Sequence, residues 1–171
     1  KATYEKTYSR YDGYEQPEIT DVDIKVDIFP TESHCITNGT CVLVNGSQGN
    51  IDTIHLRIKP EIRISNIQFG KELDTISISN EYGYFMYRLH GPMKPGDTMH
   101  FAYTTEFQEK GFSNWGKRHE LVPNGTFFHG ELLPWFGYDE SFILTKKQDR
   151  KKAGLPERKF EMAELGDSTE Y

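Results

Sequence analysis

Histidine is the residue type here best suited to chemistry, and there are six: His34, His55, His90, His100, His119 and His129. A catalytic zinc site sets two histidines one helical turn apart with an acid beside them, as in HExxH. His119-Glu120 is the one His-Glu dipeptide, and its frame closes on Pro123, which cannot continue a helix. His129-Gly130-Glu131 lacks the CxxC that a zinc deaminase would need. His55 and His100 fall on outward positions of alternating stretches, where a lone histidine is a surface residue. No metal is expected in this chain. Nucleophiles give the same answer. There is no GxSxG, GxGxxG or P-loop, and Ser113 and Ser141 have no base beside them. Glu131, Asp139 and Glu140 lie among aromatics, a pairing that can serve glycosidic chemistry, but loop acids are ordinarily solvated. The residues alone describe a non-catalytic domain.

What must position any site is the stretch NGTFFHGELLPWFGYDES, Asn124 to Ser141. It sets Phe127, Phe128, Trp135, Phe136 and Tyr138 around Pro134. Each such ring removes roughly 150–250 Å² from water when buried, so the segment is expected to plug an apolar face. Its neighbours Leu133 and Phe136 point to Trp135 as a core ring; an interface or sugar-stacking ring would be partly exposed instead.

Before the plug the chain alternates. Val22, Ile24, Val26 and Ile28 interleave with Asp21, Asp23, Lys25 and Asp27, the pattern of a strand with one buried face. Further strands are expected at Thr40–Val44, Ile51–Ile58, Ile62–Phe69, Leu73–Ser79, Tyr84–Leu89 and Thr98–Phe107, with a bulge at Ser65-Asn66 where the parity changes. About seven strands with no helices between them predict an all-β fold, an antiparallel, saddle-like two-sheet sandwich. Tyr4, Tyr8, Tyr11 and Tyr14 recur at near-helical spacing and suggest a short lead-in helix or a set of surface rings. Thr145–Ala153 reads as a helix stopped by Gly154, so the C-terminal tail is partly helical. The expected division is a lead-in over 1–16, a β domain over 17–144 and a charged tail or linker over 145–171.

The 171 residues carry a net charge of −6, and the basic run Lys146–Lys152 is interrupted by Asp149, so nucleic acid is not an expected partner. No apolar run of about 18 residues occurs, which predicts neither a membrane span nor membrane contact. Lys1 is not a natural start, and the chain reads as a piece of something larger. Cys35 and Cys41 lie about 20 Å apart if they share one strand. In a hairpin at Asn38-Gly39 they would face Val42 and Ile36. Either way both are expected as free thiols. Three sequons, at Asn38, Asn45 and Asn124, each have Gly in second place and are read as turns.

Three stretches resemble, in order, the amino-terminal domain of the zinc aminopeptidases, the family of aminopeptidase N and leukotriene A4 hydrolase. ITDVDIKVDIFPTESHCITNGTCVLVNGSQGNIDTIHLRI resembles the opening hairpin and the strand after it. MKPGDTMHFAYTTEF resembles the turn before a long strand. ELLPWFGYDES resembles the closing motif, typically AFPCFDEP. The wording from Asn124 to Arg158 is similar to one branch, in which a bacterial ABC-transporter permease is joined to an aminopeptidase-like domain. The resemblance implies a saddle-like β domain, catalytically inert alone, that packs on the catalytic domain of the same polypeptide and shapes access for its peptide substrates. It implies zinc only in that missing domain, and an extracytoplasmic place in a bacterial membrane protein. Trp135, Phe136 and Tyr138 would face the interface, and Asn124 and Glu131 would be left to touch substrate. The sequence departs from the family at two positions. Gly125 stands where Glu or Gln usually helps to hold the substrate's amino end, and Gly130 stands where Arg is usual. A reading of another class is an extracellular carbohydrate-binding or interaction module that uses Trp115, Trp135 and Tyr138 as platforms.

Overall fold

Strands form where the sequence alternates: β1 (Glu18–Phe29), β2 (His34–Val44), β3 (Ile51–Arg57), β4 (Arg63–Phe69), β5 (Leu73–Ser79), β6 (Tyr84–Met93) and β7 (Thr98–Gln108). Three two-residue strands follow: β8 (Leu121–Val122), β9 (Gly125–Thr126) and β10 (Trp135–Phe136). Helices are few and short, α1 (Ala2–Tyr8) and α2 (Lys147–Ala153) with some 3₁₀ turns. The computed structural model describes residues 1–109, 121–122, 125–126 and 130–157. The expected plug residues Phe127 and Phe128, and with them Trp115, His119, Asn124 and His129, lie outside the described residues.

The seven long strands and β10 make two antiparallel four-stranded sheets, ordered β1-β2-β7-β4 and β10-β3-β6-β5. The all-β, two-sheet expectation holds. Their facing sides share one core, with Leu43, Ile54, Leu56, Leu89, Met93 and Phe101 among its most buried members. Phe69 bridges it, 5.4 Å from Tyr87 of the second sheet and 4.7 Å from Phe101 of its own. β4 bulges between Ser65 and Gln68, with Asn66 in the left-handed region at φ 51°, at the expected change of parity.

Cys35 and Cys41 lie on one strand, since β2 runs unbroken through Asn38-Gly39. Both are buried free thiols, and burial pushes Cys41 up to about 11. Gly39 is required there because a Cβ would sit 2.3 Å from the Tyr103 ring.

Two expected core faces are not covered. β1 is an edge strand, and Val22 is 56% exposed with Ile19 and Ile28 near 38% and 39%. β5 is the edge of the other sheet, with Ile76 and Ile78 exposed. Alternation reports which side of a strand is apolar, but not whether the opposing sheet reaches that far.

At one end the sheets are tied by Asn45. Its Nδ2 donates to Met93 O and Gly49 O, both at 2.8 Å. Its Oδ1 accepts from Ser47 N at 3.0 Å and Ser47 Oγ at 2.8 Å. Its backbone N donates to Asp97 O, and its carbonyl accepts from Gly96 N. The residue is fully buried, so this sequon has no room for a glycan, whereas Asn38 is exposed on β2.

The described residues fall into two compact units, Gly13–Gly137 with both sheets, and Lys1–Asp12 together with the chain from Tyr138. In the second unit Tyr4 is buried among Tyr8, Phe142 and Tyr138, the last stacked on it at 5.5 Å. Beside it Glu5 and Arg150 form a buried two-pronged ion pair, with Nη2 to Oε1 2.8 Å and Nη1 to Oε2 3.0 Å. Leu144 N also donates to Glu5, and Arg150 donates to Leu144 O and Pro156 O, so further hydrogen bonds support the buried pair. α2 ends on Gly154 at φ 66°, the expected stop.

Replacing Asn45 by Ala should cost about 2–4 kcal/mol, because it strands buried partners such as Met93 O. Urea unfolding with an unchanged slope reads this directly. A loss below about 0.5 kcal/mol, the scale of ordinary surface changes, would mean that Asn45 does not tie the sheets.

Candidate functional site: the closing segment on β3

Leucine and proline start this segment, and they anchor it. Gly130–Leu132 makes a 3₁₀ turn, and Leu132 and Pro134 are buried. The carbonyl of Gly130 accepts twice, from Leu133 N and from the indole Nε1 of Trp135, each at 3.0 Å. The chain then extends for two residues. β10 pairs antiparallel with β3, Trp135 opposite Arg57 and Phe136 opposite Leu56. Paired residues share a face. Phe136 therefore joins Leu56 on the core side and meets Phe101 edge-on at 5.3 Å. Trp135 points the other way and is 51% exposed.

This corrects the expectation of a buried Trp135. Period-two alternation allows one of two adjacent rings to enter the core, and Phe136 is the one. Trp135 is nevertheless fixed, since the Gly130 carbonyl holds its indole. Gly137, at φ 98°, ends the segment and donates its N–H to His55 O at 2.8 Å.

Gln16 continues the same edge. Its Oε1 accepts from His55 N at 2.7 Å, and its Nε2 donates to Thr53 O at 3.0 Å and to Glu15 O at 2.8 Å. A side-chain amide thus does for β3 what a neighbouring strand's peptide would do. With β10 and Gly137 it closes the strand's open side.

His55, expected at the surface, is 1% exposed. Its Nδ1 shares a 2.9 Å hydrogen bond with the Tyr84 hydroxyl, and Tyr14 and Tyr84 meet its ring edge-on. Burial pushes its pKa down to about 4, so it is neutral at ordinary pH. His100 is exposed, as expected. His90 is exposed between Glu72 and Asp74; the Asp74 hydrogen bond and charge lead in raising its pKa.

The described sequence candidates are each placed within their own unit. Trp135 and Phe136 share β10, but Tyr138 belongs to the other unit, stacked on Tyr4. Asp139 accepts from Ser141 N and caps a 3₁₀ turn, while Glu140 is exposed. Asn124 lies outside the described residues, as does the side chain of Glu131. No cluster of three metal-ligating side chains occurs among the described residues. Sequence reasoning missed Gln16 and the His55–Tyr84 pair; a histidine within a strand's apolar run was the available signal. The outer face of the first sheet carries a trough of about 320 Å³ lined by Asp23, Lys25, Asn38, Asn66, Gln68 and Thr104. The Thr104 hydroxyl donates to Asn38 Oδ1 and accepts from Asn66 Nδ2. These groups can hydrogen-bond, but nothing there is set as a nucleophile beside a base.

No family model and no curated protein matches the chain. Solved structures of M1 zinc metallopeptidases do align with it. One from Deinococcus radiodurans is 17% identical over 57% of this chain and 22% of its own, with a TM-score of 0.44. A mutant from the same organism bound to a Tyr-Ser-Ala substrate is 16% identical over 56% and 21%, with a TM-score of 0.43. A two-domain mutant bound to L-tryptophan is 17% identical over 61% and 23%, with a TM-score of 0.44. The chain spans under a quarter of the length of these neighbours. No described helix is long and apolar enough to cross a membrane.

Two outcomes follow from this geometry. Trp135→Ala should cost less than about 1 kcal/mol in urea unfolding, and Phe136→Ala about 2–4 kcal/mol; the reverse order would refute an inward Phe136 and an outward Trp135. His55 should also make stability rise with pH between about 4 and 6.5. Its folded pKa lies below its unfolded one, so in that window the unfolded chain binds the extra proton and stability falls as pH drops. The slope is up to about 1.4 kcal/mol per pH unit, and His55→Gln should remove it from a pH series of unfolding midpoints. An identical slope in the variant would count against a neutral buried His55.

Proposed function

We propose that this chain is the amino-terminal β domain of an aminopeptidase-like zinc metallopeptidase region, without catalysis of its own. Its role is to pack on the catalytic domain of the same polypeptide and to narrow the approach of peptide substrates. The observation that carries the proposal is the closing segment. The stretch that resembles the family's proline-centred motif is laid onto β3 as an extra strand, packs Phe136 against the core and presents a half-exposed Trp135 whose indole is hydrogen-bonded. A ring held by its indole N–H and left in water suits a surface that awaits a partner. Zinc would belong to that partner, and none of the described residues here is assigned to it. The finer reading, a bacterial ABC-transporter permease carrying this region outside the cytoplasm, rests on the wording of Asn124 to Arg158.

A second reading has one observation in its favour. Trp135 is exposed and held through its indole N–H, which also suits stacking on a sugar ring, and would make the chain a carbohydrate-binding module.

The test uses the sequence encoded downstream. Within about 300 residues it should carry HExxH with a further Glu about 18 residues on, a ligand set of catalytic zinc. Expressed separately, that segment should bind this chain and elute with it in size-exclusion chromatography. Trp135→Glu should weaken the complex while the circular dichroism of the free domain stays unchanged. A downstream segment that lacks the zinc motif and forms no complex would overturn the proposal. Loss of glycan binding in the same variant would favour the second reading.

A further inference from the structure

One side of the second sheet is closed, whereas β1 of the first is open. On the second sheet, β3 is closed by β10, by Gly137 and by the amide of Gln16. On the first sheet, β1 is the end of the order, and nothing pairs along its outer side among the described residues. It is also among the longest strands, at 12 residues, with no proline and one bulge, between Ile19 and Asp21. A long edge with free N–H and C=O groups is a template for another strand.

Its side chains add a second requirement. Val22, Ile24, Val26 and Ile28 pair with Cys41, Gly39, Thr37 and Cys35 of β2, all of them buried. They continue the core face past its cover, and Val22 and Ile28 remain exposed. The opposite face carries Asp21, Asp23 and Asp27, with Lys25 as the single base. A second copy paired about Ile24 would set Asp21 against Asp27 twice and cancel its two Asp23–Lys25 matches. A strand with bases opposite the three acids gains at each of them.

We propose that β1 is a docking edge for an extended segment of another protein, one that alternates basic and apolar residues and adds to the first sheet as a fifth strand. The backbone of β1 supplies the hydrogen bonds. The row from Val22 to Ile28 covers the partner's apolar side chains, and Asp21, Asp23 and Asp27 select its charge. This inference concerns a different sheet from Trp135 and does not depend on the proposal above.

The probe is a fluorescent decapeptide of alternating lysine and valine, titrated against the whole chain by anisotropy at about 0.15 M salt. It should bind, and amide exchange should slow along Glu18–Phe29. The same peptide with every peptide nitrogen methylated keeps its charge but has no N–H to donate, and should not bind. The surface variant Asp21→Lys/Asp23→Lys/Asp27→Lys should lose affinity for the lysine peptide by about tenfold or more and prefer its glutamate counterpart. Equal binding of the methylated peptide, or of a block of five lysines followed by five valines, would show plain charge attraction and overturn the proposal. So would the absence of binding, or slowed exchange elsewhere than β1. A concentration-dependent dimer that protects the same amides would replace the basic partner with a second copy, and would also overturn it.

Discussion

Asn45 makes a hydrogen bond with every position its amide offers, and its partners come from two stretches, the turn that follows it and the turn between Met93 and Asp97. Its two N–H groups hold Met93 at the end of β6 and Gly49 ahead of β3. Its oxygen holds Ser47 in the turn, and its backbone holds Gly96 and Asp97 ahead of β7. The strands so joined belong to both sheets. Apolar packing between sheets is not directional and would tolerate sliding. A buried amide with both donors and both acceptor positions filled does not, because each shift would leave a polar group unpaired away from water. The core drives the sheets together, and Asn45 fixes how they meet.

The strands were legible because their alternation is local. The bulge in β4 was legible too, since two apolar series out of phase at Ser65-Asn66 can only be reconciled by an extra residue. What the sequence withheld was the reach of each face. β1 and β5 alternate as cleanly as the central strands, yet both are edges and leave apolar residues in water. His55 departs in the opposite direction. It lies on the outer side of β3, where alternation predicts solvent, but Tyr14, Gln16 and Tyr84 come from other parts of the chain to surround it. Edge and cover are properties of strand order, and strand order is set by contacts that no window of sequence contains.

The same limit hid the ion pair of Glu5 with Arg150. Both residues stand outside the expected β domain, one in the lead-in and one in the charged tail, and 145 positions separate them. Burying two charges is tolerated only when geometry and further hydrogen bonds repay the loss of water. Leu144 and Pro156 provide such bonds, all within the same unit. The aromatic spacing of Tyr4 and Tyr8 did mark one side of that unit, because their helical period is local.

The closing segment shows how two adjacent aromatic residues can do unlike work. A helix would place Trp135 and Phe136 about 100° apart, close enough for both to reach one apolar surface. A strand places them on opposite faces, and pairing with Arg57 and Leu56 decides which face is which. Phe136 goes to the core and secures the strand against β3. Trp135 must then point outward, and the Gly130 carbonyl keeps it from moving freely. Its exposure is thus a consequence of anchoring Phe136. A ring already ordered in this way loses little conformational entropy when a partner covers it. That is the physical reason to look for recognition at Trp135, while Phe136 holds the segment in place.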